Sequence, residues 1–249
     1  QFTTSEGLDG AFTGRVNGET PVSGRIVPMD GRSGLRITSD DAGGVFASAG
    51  VLRQARGGAL DLTLRPVGTG GAFDGTLRVS QISIRDAPVM AALLNAVSIV
   101  GLLDELGGTG IFFSEVEGKF RLSPGQITLT EGSAVGPSMG ISMDGVFATD
   151  TGALSLQGVI SPVYLLNGIA SFLTRRGEGL IGFNYAVSGL ASAPEVSVNA
   201  LSALAPGMFR NLLRPPPPQA PAVEGEVLPP EPDPLANTSV PLVDGTVGR

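Results

Sequence analysis

The feature that most restricts this chain is a two-residue alternation of apolar and polar side chains, repeated along most of its length. Leu60, Leu62 and Leu64 alternate with Asp61, Thr63 and Arg65, and Leu77 and Val79 flank Arg78. Phe112, Val116, Phe120 and Leu122 share one parity, while Glu115, Glu117, Lys119 and Arg121 take the other. The pattern returns at Ile127 and Leu129, at Ile141 and Met143, at Leu154 and Leu156, and at Phe183, Tyr185 and Val187. A period of two sends alternate side chains to opposite faces of a strand, so each run offers one apolar and one polar face. Turn residues punctuate the runs at Asp30-Gly31, Gly43-Gly44, Gly57-Gly58, Gly70-Gly71 and Asp150-Thr151-Gly152. Two-faced strands joined by short turns predict a long, curved antiparallel meander of about ten to twelve strands, a mainly β fold.

Three segments break this period. Asp86-Ala87-Pro88 reads as a helix start, with Asp as N-cap and Pro in the first turn, and the helix is expected to run from Ala87 to Leu106 before Gly107-Gly108. Ser161-Pro162 opens a second over Val163–Thr174, ending at Arg175-Arg176-Gly177, where cations meet the negative end of the helix dipole. A third is expected near Leu201–Leu213. After Arg214 stand four consecutive prolines and five acidic residues with little aliphatic periodicity. The expected organisation is therefore one β domain over 1–214, its short apolar helices near the C-terminal end, and a disordered, acidic, Pro-rich tail over 215–249.

Composition removes most chemistry. There is no Cys and no His, so no Ser-His-Asp triad, cysteine nucleophile, zinc or haem site can be built, and no cofactor is implied. A net charge of −7 argues against nucleic acid, which demands a basic footprint. Gly136-Pro137-Ser138-Met139-Gly140 matches the nucleophile-elbow pattern, yet a strand follows it and no histidine serves it, so it reads as a turn. Gly177-Glu178-Gly179-Leu180-Ile181-Gly182 matches a dinucleotide pattern but follows a helix and enters a strand, the reverse of the required order. The acid pairs Asp104/Glu105 and Glu115/Glu117 lie at a helix end and on a polar strand face, where acids are ordinarily solvated. The expectation is a non-enzymatic protein.

Targeting is not legible. Residues 1–6 are polar and unlike a signal peptide, and a chain beginning at Gln reads as a piece of something longer. Ala87–Leu103 falls short of the ~20 apolar residues of a spanning helix and lacks basic flanks. What stands out is aliphatic surface. Aromatics reach only 5% of the chain, too few to fill a thick core, and both apolar helices need a second apolar surface of their own. An open groove and a closed sandwich or barrel core each satisfy these rows.

Three stretches resemble the C-terminal region of the AsmA-like proteins of Gram-negative bacteria, in the YhdP and TamB branch. They are Leu77-Arg78-Val79 through Arg85-Asp86-Ala87-Pro88-Val89-Met90 to Gly108-Thr109-Gly110-Ile111-Phe112-Phe113; Gly136-Pro137-Ser138-Met139-Gly140-Ile141 through Leu156-Gln157-Gly158-Val159-Ile160-Ser161-Pro162; and Pro194-Glu195-Val196-Ser197-Val198-Asn199 with Ala205-Pro206-Gly207-Met208. The resemblance spans about residues 73–214. It implies a taco-like β-groove, carried in the periplasm by a parent chain anchored in the inner membrane, that moves phospholipid between inner and outer membranes without catalysis. On that reading the candidate partners are phospholipid acyl chains, both membrane surfaces and another envelope protein. The groove rows would be Leu77, Val79, Phe112, Val116, Phe120, Leu122, Ile127, Leu129, Ile141, Met143, Leu154, Leu156, Phe183, Tyr185 and Val187. Val89, Leu93, Leu94, Val97, Val100 and Leu103 would form a plug or interfacial helix, and Leu94→Glu would stop transport while leaving the strands folded. The competing expectation is a structural scaffold or spacer with a closed core that binds no lipid.

Overall fold

A computed structural model describes residues 2–3, 8–29, 32–68, 70–97, 100–162 and 182–199, with Ser202, Pro216, Pro218 and Gln219. Alternation becomes strands almost throughout: β1 (Phe2–Thr3), β2 (Asp9–Val16), β3 (Thr20–Met29), β4 (Arg32–Ser39), α1 (Ala42–Ser48), β5 (Ala55–Arg56), β6 (Ala59–Val67), β7 (Ala72–Ile84), α2 (Pro88–Ala96), α3 (Val100–Gly107), β8 (Ile111–Ser123), β9 (Gln126–Val135), β10 (Gly140–Ala148), β11 (Ala153–Ser161), β12 (Phe183–Leu190) and β13 (Ala193–Asn199). The strands form one antiparallel sheet in chain order, except that β5 pairs with the end of β7 off the main path. The sheet is an open, curved meander.

Its two ends differ. At one end, the turn end, the hairpins β6–β7, β8–β9 and β10–β11 close tightly through Gly71, Gly125 and Gly152 at φ 75°, 75° and 72°, a conformation only glycine adopts without strain. At the other, the helix end, stand α1 between β4 and β5, α2 and α3 between β7 and β8, and the connection from β11 to β12. The long connections thus all leave from one rim of the sheet.

The core sits at that rim. Ile111, Phe113, Met139, Ile141, Ile160 and Val187, at 0–3% exposure, cluster with Leu93, Leu94, Leu102 and Leu106 of the helices. α2 packs against β13, which requires the sheet to curl. Six inter-strand spacings would set β13 about 29 Å from β7 in a flat sheet, whereas a nine-residue helix is only about 14 Å long and only three residues separate it from β7. Bending the sheet back is what brings its last strand to the helix.

Several expectations are corrected. Ala87–Leu106 forms two helices, not one; the β-branched and hydroxylic run Val97-Ser98-Ile99-Val100 is a poor helix former, and at Val97 φ is −92° and ψ 1°. Pro88 does occupy the first turn, but the N-cap is Ala87, without a side-chain bond, while Asp86 takes φ 48°. Gly43-Gly44 is not a turn: it lies within α1, whose N-cap Asp41 accepts a hydrogen bond from the Gly44 N–H at 2.9 Å. Helices are therefore not confined to the C-terminal end. The helix expected over 163–174 lies outside the described residues, as does that near 201–213 except for Ser202, and so does the tail apart from Pro216, Pro218 and Gln219. Among the described residues no helix is long and apolar enough to cross a membrane.

Candidate functional site

Strand register carries one apolar face across the whole sheet, because residues opposite each other in an antiparallel pair project to the same side. One row runs Ile37, Leu62, Leu77, Gly118, Gly132, Met143, Gly158, Tyr185 and Val198 from β4 to β13. The next runs Leu35, Leu64, Gly75, Phe120, Leu129, Gly145, Leu156, Val187 and Val196. No charged side chain falls on this face among the described residues.

Two irregularities keep the face continuous. Thr130 is the extra residue of a bulge in β9, so Leu129 and Gly132 stay on one side although three residues apart; its hydroxyl donates to the Lys119 carbonyl at 3.0 Å. Gln81, at φ 57°, resets the alternation in β7, so that Val79 and Ile82 both enter the core.

Of the residues expected to line the groove, Leu77, Val79, Val116, Phe120, Leu122, Ile127, Leu129, Ile141, Met143, Leu154, Leu156, Phe183, Tyr185 and Val187 lie on this face. Phe112 does not: it is 38% exposed while Phe113 is 2% exposed, because the alternation changes phase in β8 opposite Gln81. The residues divide by depth. Val79, Ile141 and Tyr185 are buried toward the helix end and Val187 is buried opposite Leu156, whereas Phe120, Leu122, Ile127, Leu129, Leu154 and Leu156 are half-buried toward the turn end. Of that second group Leu154 and Leu156 still pack against the core cluster, whereas Phe120, Leu122, Ile127 and Leu129 are not part of it. Leu93 and Leu94 are core residues, with Val89, Val97 and Leu103 packed against them; the side chain of Val100 lies outside the described set.

The expected groove rows begin at Leu77 and leave out the N-terminal third of the face, although the run Leu60, Leu62 and Leu64 reads as a strand. Phe12, Val22, Ile26, Leu35 and Ile37 continue it to β2, and Leu60 and Leu62 join it to the core. Glycines at 10, 14 and 24 interrupt the apolar alternation there, which hid the signal.

Three aromatics on the face meet a glycine on the facing strand: Phe12 at Gly24, Phe120 at Gly75 and Tyr185 at Gly158. A Cβ at Gly24 or Gly75 would coincide with the phenyl ring, and one at Gly158 would stand 2.7 Å from the Tyr185 hydroxyl. These rings lie down over the neighbouring strand instead of projecting from it. The Tyr185 hydroxyl donates to the Ser142 carbonyl at 3.0 Å.

The opposite face is polar and charge-paired. Arg36 clasps Asp61 with bonds of 2.9 and 2.6 Å, Arg78 pairs with Glu117 at 3.3 Å, Lys119 with Glu131 at 2.7 Å and Arg121 with Asp74 at 2.7 Å. The hydrogen bond from Arg36, ahead of its charge, holds the Asp61 carboxyl below the usual carboxylate range. Farther along, Gln157 donates to Asp144 at 2.8 Å and to the Pro216 carbonyl at 3.3 Å, so the chain beyond β13 returns to this outer face.

The remaining sequence candidates find structural partners. Gly136–Gly140 is a turn between β9 and β10 with the Gly136 N–H on the Met139 carbonyl, and the Ser138 hydroxyl donates to Glu105 of α3 at 2.9 Å. Glu117 is paired on the outer face, and Gly177–Ile181 and Arg175-Arg176 lie outside the described residues. Among the described residues no group of three or more acidic side chains is placed to hold a metal ion. Comparisons with protein-family models, curated proteins and solved structures find no match for this chain.

Proposed function

We propose that the chain is a non-enzymatic lipid-binding groove, the C-terminal part of an AsmA-like bridge that conducts phospholipid between the inner and outer membranes of a Gram-negative cell. The observation that carries this reading is the uncharged face itself, continuous over the strands from β2 to β13, filled by helices at one end and half-buried at the other. Acyl chains suit such a surface. Covering aliphatic rows gains about 25 cal/mol per Å² of apolar area, and the gain is nearly the same at every row, so tails are retained yet slide over low barriers. Head groups stay in water at the open edge.

A second reading has a specific observation in its favour. The close packing of α2 on β13, with Ile111, Met139 and Ile160 at 0% exposure, is what a closed structural scaffold would show. The helix end satisfies that description, and lipid is therefore assigned to the turn end and the N-terminal strands.

Native mass spectrometry of the full chain, purified from a bacterial lysate that retains its membranes, separates the two. Phospholipid bound above the level on a control protein is expected, and photocrosslinking groups at Phe120, Leu129 and Leu156 should capture it, whereas one at Ile141 should not. A folded chain free of phospholipid, with no crosslink at any position, would establish the scaffold instead.

A further inference from the structure

We infer that Phe12 and Phe120 are the floor of the groove, and that the glycines beneath them, Gly24 and Gly75, set its depth. The inference rests on the lipid-binding reading above and adds which residues determine whether an acyl chain fits.

A phenylalanine on a curved sheet ordinarily stands up from the surface, and on the concave side it would fill the space a ligand needs. Here each ring lies across the adjacent strand, over the one residue type with no side chain to lift it. Outside the buried core the same device is used twice on different strands, β2 on β3 and β8 on β7. Both rings belong to the half-buried part of the face, not to the helix-end core.

The third such pair, Tyr185 over Gly158, lies in the buried core, where the Tyr185 hydroxyl anchors the ring on the Ser142 carbonyl; the two phenyl rings have no such anchor. A core is completed by side chains that interdigitate, and a glycine under an aromatic removes volume from it. A flat ring over a glycine keeps apolar contact area while leaving the height above the sheet free, which is what an acyl chain lying on the face requires. The rings also cover the backbone that the glycines would expose, so the floor is apolar even where side chains are missing.

The test compares the full chain with Gly75→Ala, Phe120→Ala and the double variant, each incubated with dioleoylphosphatidylglycerol vesicles, re-purified and weighed by native mass spectrometry. One methyl group under the ring forces it up into the groove, an overpacking worth roughly a tenfold loss of affinity. Gly75→Ala is expected to lose about that much bound phospholipid, and Phe120→Ala in the same chain to restore it by removing the raised ring. Gly24→Ala with and without Phe12→Ala is the independent repeat, and circular dichroism confirms the strands in each. A benzophenone side chain at position 12 or 120 is expected to crosslink phospholipid, which checks the floor without altering either glycine. Unchanged lipid in folded Gly75→Ala and Gly24→Ala would overturn the inference while leaving the groove standing, as would absence of crosslinks at both positions. An unsubstituted chain that takes up no phospholipid would overturn both.

Discussion

Arg121 and Arg36 each form a two-bonded ion pair across the polar face, yet their surroundings differ. The Arg121 side chain is 8% exposed and that of Arg36 is 60%. An exposed pair is screened and contributes less than about 1 kcal/mol, whereas removing the carboxylate from a buried guanidinium costs about 3 kcal/mol before allowance for the partner's own exposure. Asp74 is half exposed, so Asp74→Ala is expected to destabilise by about 1–3 kcal/mol and Asp61→Ala by less than about 1 kcal/mol, read from urea midpoints at neutral pH. Equal losses would show that burial of Arg121 carries no weight. Asp61 adds a pH signature. Its folded-state pKa is depressed, so its contribution is complete above the ordinary aspartate value of about 3.9 and disappears as pH falls through the lower folded value. Asp61→Asn is therefore expected to flatten the decline of the midpoint with acid over that window, with no change in slope above pH ~5.

At the scale of elements, the bulge in β9 makes a sharp test of what holds the apolar face together. Removing Thr130 turns Ile127-Thr128-Leu129-Thr130-Glu131-Gly132-Ser133-Ala134 into an unbroken alternation with Ile127, Leu129, Gly132 and Ala134 still on one side. Removing Ser133 instead leaves the bulge and sends every residue on one side of the cut to the wrong face. Deletion of Thr130 is expected to leave a folded, cooperative protein, and deletion of Ser133 to abolish cooperative unfolding in urea. Leu94 belongs to this scale too. At 0% exposure it is a core residue, so Leu94→Glu buries a carboxylate and unfolds the helix end; it does not isolate transport from folding as expected of a surface plug. Leu94→Ala should cost about 2–5 kcal/mol, with loss of hydrogen-exchange protection concentrated in α2 and β13. Strands were legible in the sequence because one residue's side is set by its neighbour's. Phe112 and Phe113 were exchanged because the phase change in β8 falls opposite Gln81, about thirty residues earlier in the chain, and leaves no mark in β8 itself. α1 escaped notice since its Gly43-Gly44 carries a turn signature and its helix is held by the Asp41 cap and by Ala42 and Phe46 packing on the core.

For the molecule as a whole, sequence periodicity predicted the meander and its two faces but left open whether the apolar face closes. Curling is set by contacts between distant elements, above all α2 on β13, about a hundred residues apart, and no local pattern encodes them. What the chain does with its face follows from the difference between its ends. The core that the helices complete takes in Ile82, Ile111, Phe113, Ile141 and Ile160 at one end of their strands, so protection should fall along these strands more than between them. Amides of Ile111–Phe113 and of Ile160 are expected to exchange slowly, and those of Phe120–Leu122 and Leu154–Leu156 faster, although all are paired in the same ladders. Phospholipid vesicles should then slow exchange at the turn end and leave the helix end as it was, since a tail can only cover what the helices do not. Uniform protection before and after lipid would describe a sheet closed along its full length, with the helices as part of a single core. A gradient that lipid erases would describe a trough blocked at one rim, in which movement of lipid is along the sheet, from strand to strand, and not through the helix end.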